Sequence, residues 1–289
     1  MIPEHGAVAG IIVARYNPAL SRQSLMSGSG WKGQDVTARA PATCRICGLG
    51  PTIDAHLLPR ALGHDLRGAE KHLFVGGADI PGRRIVQAGL FDPNILCAVH
   101  DGALGLYDDY GIAFCREFGA RCDHPAPNIW HVRGVDGDRL VRFWLAILWR
   151  FSLSSLPEAA KVSLGPYEER LRDILFAGAD CSVEPAIIML RYRSNAIPPE
   201  NICFTPYASA FPGQPHRICA YGVAVAGLHA FIKLDDQALA PEMHALSING
   251  KTELTGGYLQ FEDTHQFQRT LQIARNMGLK PARPPRTRV

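Results

Sequence analysis

Cysteines, histidines and acids in the first half of the chain stand at spacings that suit metal chemistry. Cys44-Arg45-Ile46-Cys47-Gly48 is a CxxC knuckle. Two thiolates at that spacing can turn inward onto one zinc ion, and the glycine behind them permits the positive φ such a turn requires. About fifty residues further on, Cys97-Ala98-Val99-His100 repeats the spacing with an imidazole in place of the second thiolate. The two pairs predict a tetrahedral site for a structural Zn²⁺ with Cys44, Cys47, Cys97 and His100 as ligands. The alternative is an incidental CxxC, a Cys97 that packs as a small buried hydrophobe, and a His100 at the surface.

Between the pairs lies Ile53-Asp54-Ala55-His56-Leu57-Leu58-Pro59-Arg60. If Ile53 to Leu57 is extended, Asp54 and His56 project from one face and Ala55 from the other, because side chains alternate along a strand. Asp101 directly follows His100. A compactly folded module therefore brings an imidazole and a carboxylate together beside the knuckle, an arrangement suited to hydrolysis.

These residues need elements to position them. Residues 1–40 mix one apolar stretch with Ser, Gly and Asn and read as a leader. Residues 41–122 are rich in Gly, Pro, Cys and His with short apolar runs, as expected where a metal replaces part of a core. Beyond 123 an α+β domain is predicted to residue 278. Leu140, Phe143, Trp144, Ile147, Leu148 and Phe151 mark one face of a strong helix over 139–155, and Pro166 opens a second helix beside it. Residues 186–192 read as a strand, as do runs on either side of Gly227 and two more in 245–261 around Asn249-Gly250 and Gly256-Gly257. Together they predict an antiparallel sheet. A final helix over 264–277 stops at Gly278, and residues 279–289 form a basic, proline-rich tail.

The order CxxCG, then His-x-x-Pro followed by a basic residue, then Leu-Cys-x-x-His-Asp resembles the HNH (His-Me finger, ββα-metal) nuclease superfamily, in its zinc-bearing branch. The resemblance covers residues 41 to about 115. It implies a zinc-stapled ββα-metal module whose zinc only holds the fold. It also implies His56 as the general base that activates water, and Asp101, with Asp54, as ligands of a catalytic Mg²⁺ or Mn²⁺ on the scissile phosphate. Asn94 is the candidate to support the base. Such a base is chemically apt, since a neutral imidazole accepts a proton near physiological pH, while a hard cation held by oxygen ligands neutralises charge building on phosphate. Arg60 and Arg45 can supply phosphate-binding charge near the cleavage point, and Arg83 and Arg84, in a predicted hairpin, can hold nucleic-acid backbone further away. The sequence departs from the family pattern at Ala55, where an ion-binding acid or histidine usually precedes the base. The implied partner is nucleic acid, double-stranded DNA by analogy, in an antiphage-defence or mobile-element setting. The larger domain is then free to bind a protein or a second copy. The rival expectation is a catalytically inactive zinc-binding adaptor.

The composition sets outer limits. The chain has 289 residues, 30 Lys and Arg against 27 Asp and Glu, and 47% hydrophobic residues, values typical of a globular protein without a global field for nucleic acid or membrane. Eight cysteines are too sparse for a disulfide scaffold and fit a reducing cytoplasm. The apolar run Ala7 to Ala14 lacks the basic flank of a secretory signal, and no run approaches a membrane span. Phosphate-binding P-loop, dinucleotide, zincin and hydrolase-elbow motifs are missing. Cys115, Cys122, His124 and His131 fit no common zinc spacing and read as structural residues; Asp108 and Asp109 read as a solvated helix face. The aromatic residues of the strong helix read as core.

Overall fold

The computed structural model describes residues 42–77, 80–209 and 219–277 together with the backbone of Ile11–Val13. Apart from that short strand, the expected leader lies outside the described residues, as do Gly278 and the whole basic tail. The strands are β1 (Ile11–Val13), β2 (Ala55–His56), β3 (Leu73–Gly77), β4 (Ile80–Val86), β5 (Phe91–Asp92), β6 (Asp123–Ala126), β7 (Ile129–Arg133), β8 (Ile187–Arg193), β9 (Phe204–Ser209), β10 (Ala220–Val225), β11 (Leu228–Lys233) and β12 (Glu253–Gln260). The helices are α1 (Arg60–Arg67), α2 (Ala98–Arg121), α3 (Gly137–Leu153), α4 (Tyr167–Phe176), α5 (Pro241–Ala245) and α6 (His265–Asn276).

Ten strands form one mixed sheet in the order β4-β3-β1-β9-β10-β11-β8-β12-β7-β6, and β2 pairs with β5 in a separate two-stranded ladder. All neighbours in the large sheet are antiparallel except β8 and β12, where Tyr258 stands opposite Arg191 in a parallel pair. This departs from the purely antiparallel sheet expected. The reason is connectivity: the chain makes β9, β10, β11 and α5 before returning to β8, and a parallel partner requires that kind of long crossover. A second correction concerns Gly256-Gly257, which does not separate two strands but lies inside β12. A Cβ on Gly256 would stand 2.2 Å from Trp130 Cζ2, so this glycine marks a close approach of Trp130 to the β12 backbone.

At its centre the sheet is covered on both faces. Tyr221, Val223 and Val225 of β10 join the large buried cluster that contains α3. Ala224 belongs instead to a second cluster with Tyr192, Phe204, Phe261, Ile273 and Met277, under α6. The helix α3 starts at an Asp136 cap whose side chain accepts from Arg139 N at 3.0 Å. Its sequence predicts one apolar face, yet Leu140, Val141 and every residue from Phe143 to Phe151 are buried. The helix is enclosed by α2, α4 and the sheet, so no side needs to be polar. Its aromatic residues are core, as expected.

The large cluster runs without interruption from Cys44 to Leu254. Residues 41–122 therefore share their core with the chain beyond 123, and β3 and β4 lie in the same sheet as β8 to β12. No helix among the described residues is long and apolar enough to cross a membrane.

Candidate metal centre and adjoining polar site

The chain around Cys44 folds as a tight knuckle: Cys44 N donates to Leu49 O at 2.8 Å, Gly48 N donates to Cys44 O at 2.9 Å, and Gly48 takes a φ of 70°. Two further backbone bonds sew this segment to the second pair, Arg45 N to Ile95 O at 2.9 Å and Ile53 N to Leu96 O at 2.8 Å. Cys97 caps the N-terminus of α2, and His100 lies in its first turn. Ligand atoms of Cys44, Cys47, Cys97 and His100 consequently lie within 4.8 Å of one another. His100 Nδ1 is 3.2 Å from Cys97 Sγ and 3.5 Å from Cys44 Sγ. Burial opposes ionisation of Cys44, but the backbone N–H groups of Cys47, Cys97 and Ile46 overcome it and bring the thiol down to about 6. A readily ionised thiol with two sulfurs and an imidazole nitrogen around one point is a donor set that fits a tetrahedral zinc ion.

The strand β2 lies beside this centre. Ala55 and Leu57 are buried, His56 is half-buried and Asp54 exposed, as expected for an extended 53–57. The strand itself covers only Ala55–His56, however, and Ile53, expected on the face of Ala55, is exposed. Ala55 pairs with Asp92 and His56 with Phe91, whose ring lies 6.0 Å from the imidazole. Burial, then the charges of Arg60 and Arg150, push the His56 imidazole below its ordinary value against the pull of Asp54. The His56 carbonyl accepts from Arg150 at 3.0 Å. Arg150 comes from α3 and clasps Asp108 of α2 with both terminal nitrogens, at 2.9 and 2.6 Å.

Asp101 stands in the first turn of α2, where the helix dipole favours an acid. Its Oδ1 is buried and has no hydrogen-bond partner among the described residues. Burial raises its carboxyl, Arg150 draws it down, and Asp108 raises it again. Asp101 and His56 thus both sit in the field of Arg150.

The other expected site residues are placed as follows. Arg60 opens α1 and is exposed near His56. That helix is fastened to α2 by a two-pronged ion pair of Arg116 with Asp65, at 2.8 and 3.0 Å. Arg45 is exposed on the knuckle. Arg83 and Arg84 lie on β4 in a β3–β4 hairpin, Arg83 over the ring of Phe74 and Arg84 3.5 Å from Glu158. Asn94 does not reach for the histidine: its side-chain amide donates to Asp92 Oδ1 at 3.2 Å. Cys115 is buried, His124 meets the Tyr258 hydroxyl at 3.2 Å, and His131 lies 3.4 Å from Glu253.

Two interactions near the site were not foreseen. Asp108, weighed as a group near the metal site but expected on a solvated face, is the counter-ion of Arg150. Asp92 is almost fully buried; its Oδ2 accepts from Ser154 Oγ at 2.8 Å and Ser155 N at 3.0 Å. The available signal was Arg150 itself, a cation inside the apolar run of α3 that had to find an acid. No protein-family model, no curated protein and no solved structure matches the chain.

Proposed function

We propose that the protein is a metal-dependent endonuclease of the HNH type that hydrolyses phosphodiester bonds of DNA. In this reading Cys44, Cys47, Cys97 and His100 hold a structural Zn²⁺. One observation carries it: the Cys3His cluster lies beside a β2–β5–α2 unit in which the strand bears His56 and the first helical turn bears Asp101 with a buried oxygen unpartnered among the described residues. A buried carboxylate oxygen without a donor is the kind of atom a cation satisfies.

Within this reading His56 is the general base, kept neutral by burial and by the neighbouring arginines so that it can accept a proton from water. Asp101, and Asp54 from the solvent side, would hold the divalent cation. Mg²⁺ or Mn²⁺ bound there supplies positive charge to the phosphate and the leaving oxygen. Arg60, exposed at the start of α1, offers charge to the phosphate, and Arg45 offers it from the knuckle. Double-stranded DNA as substrate, a defence or mobile-element setting in the cytoplasm, and a protein partner or second copy on the larger domain belong to the same reading.

A second reading, an inactive zinc-built adaptor for nucleic acid or protein, is favoured by Ala55. Its methyl is completely buried where the family carries an ion ligand, and Asn94 is engaged with Asp92. Incubating supercoiled plasmid with the protein and Mg²⁺ or Mn²⁺ separates the two. The nuclease nicks or linearises the plasmid, and His56→Ala slows this by roughly 100- to 10,000-fold while zinc stays bound. Cleavage that survives the substitution removes His56 as the base, and no cleavage with either ion leaves the adaptor.

A further inference from the structure

We infer that Arg150 is the positioning residue of this site, holding the backbone of His56 against α2 and thereby setting where the imidazole stands. The inference rests on the reading of His56 as the base. Arg150 is only 2% exposed, within a helix that is otherwise apolar on every side there. A guanidinium withdrawn from water is costly unless its donors are used. Here they are directed to chosen places: Nε to Ala146 O at 3.2 Å on its own helix, one terminal nitrogen to both His56 O and Asp108, the other to Asp108 alone. A methionine or leucine would pack in an apolar core without that cost, so the fork serves the groups it holds.

What it holds needs holding. The ladder that carries His56 is only two residues long on each strand, continued by one bond from Leu57 N to Leu90 O at 2.9 Å. The end of α3 grips both strands of that ladder: Arg150 takes β2 through the His56 carbonyl, and Ser154 and Ser155, just past the helix, take β5 through Asp92. The clasp on Asp108 then fixes this platform to α2, the helix that bears His100 and Asp101. Arg150 does not touch substrate in this scheme; it registers the strand bearing the base against the helix bearing the acid.

The test uses the full chain. Arg150→Met alone strands the Asp108 carboxylate, so the principal variant is the charge-neutral pair Arg150→Met/Asp108→Asn. Arg150→Lys accompanies it, keeping the charge but lacking the planar fork that directs separate nitrogens to the carboxylate and the carbonyl. Steady-state cleavage of a labelled duplex in Mg²⁺ or Mn²⁺ is measured beside NMR spectra of ¹³C-histidine-labelled protein, the His56 signal being assigned with His56→Gln. The double variant is expected to lose about 100-fold in kcat with KM within about twofold, as for a small misplacement of a reacting group. Arg150→Lys is expected to lose about tenfold, since the lone ammonium replaces only part of the fork. The His56 ring signal should shift or broaden while that of His100 stays in place. An unchanged kcat, or an unmoved His56 signal, overturns the inference. If the unmodified protein cuts no DNA, the nuclease reading falls by itself, and the His56 signal alone decides whether Arg150 fixes that histidine.

Discussion

Removing one zinc ligand without disturbing the packing is possible at Cys47, because it is the exposed member of the cluster. Cys47→Ser leaves no cavity, so its effect reports the metal cross-link itself. An ion bridging Cys44 and Cys47 to Cys97 and His100 closes a loop of about fifty residues. Treated as a cross-link of the unfolded chain, a loop of that length corresponds to about 4 kcal/mol of closure entropy at 25 °C. The full amount is not lost with one ligand, and the backbone bonds from Arg45 to Ile95 and Ile53 to Leu96 hold the same segments without an ion. The expected outcome is therefore a destabilised but folded protein. Purified chain should carry one zinc by elemental analysis. In urea, Cys47→Ser should unfold earlier than the unmodified protein when zinc is present, and the two curves should converge once a chelator has removed the metal. Purified protein without zinc, or a Cys47→Ser curve that coincides with the unmodified one at saturating zinc, would refute the cluster as a metal centre.

Two further predictions concern the sheet. His229 is completely buried between the hydroxyls of Tyr192 and Tyr207, each 2.9 Å from a ring nitrogen, and burial pushes its imidazole from 6.5 down to about 3. The unfolded chain takes up that proton near pH 6.5 and the folded chain only near 3. The contribution of this group is thus intact above 6.5 and declines as pH falls towards 3, by about 1.4 kcal/mol per pH unit; urea midpoints from pH 7 to 5 should fall less steeply in His229→Asn, and equal slopes would contradict this. Gly256→Ala drives a methyl into Trp130 and should cost about 1–3 kcal/mol, whereas at Gly257 the nearest atom to a new Cβ is 3.6 Å away and alanine should be nearly neutral. Equal midpoints for the two variants would show that Trp130 yields.

Legibility followed range. The four ligands of the cluster were readable because each knuckle is a local motif whose spacing alone turns two donors the same way. The alternation of Asp54, Ala55 and His56 was equally local. The helix α3 was visible through its periodicity, but its burial on every side was not, since the facing surfaces come from α2, α4 and the sheet. The helix around Asp108 and Asp109 was anticipated, but the 24-residue length of α2 was not: glycines at 102, 105, 111 and 119 interrupt the apolar pattern of its inner residues Leu104, Ile112, Phe114 and Phe118. The parallel pairing of β8 with β12 and the clasp of Arg150 on Asp108 join residues 42 or more apart, and tertiary packing rather than neighbouring sequence selects such partners.

The position of β1 has a consequence for how the chain comes together as it is made. Ile11 pairs with Gly76 on one side and with Phe204 on the other. At a synthesis rate of roughly 5–20 residues per second, β9 at Phe204 is made on the order of 6–24 s after β4 is complete at Val86. For that interval β3 and β4, even with β1 added, present an open row of unpaired amides and carbonyls, the kind of edge that recruits foreign strands. The nascent protein thus has a built-in waiting period, ended when β9 arrives and joins the early strands to the late ones.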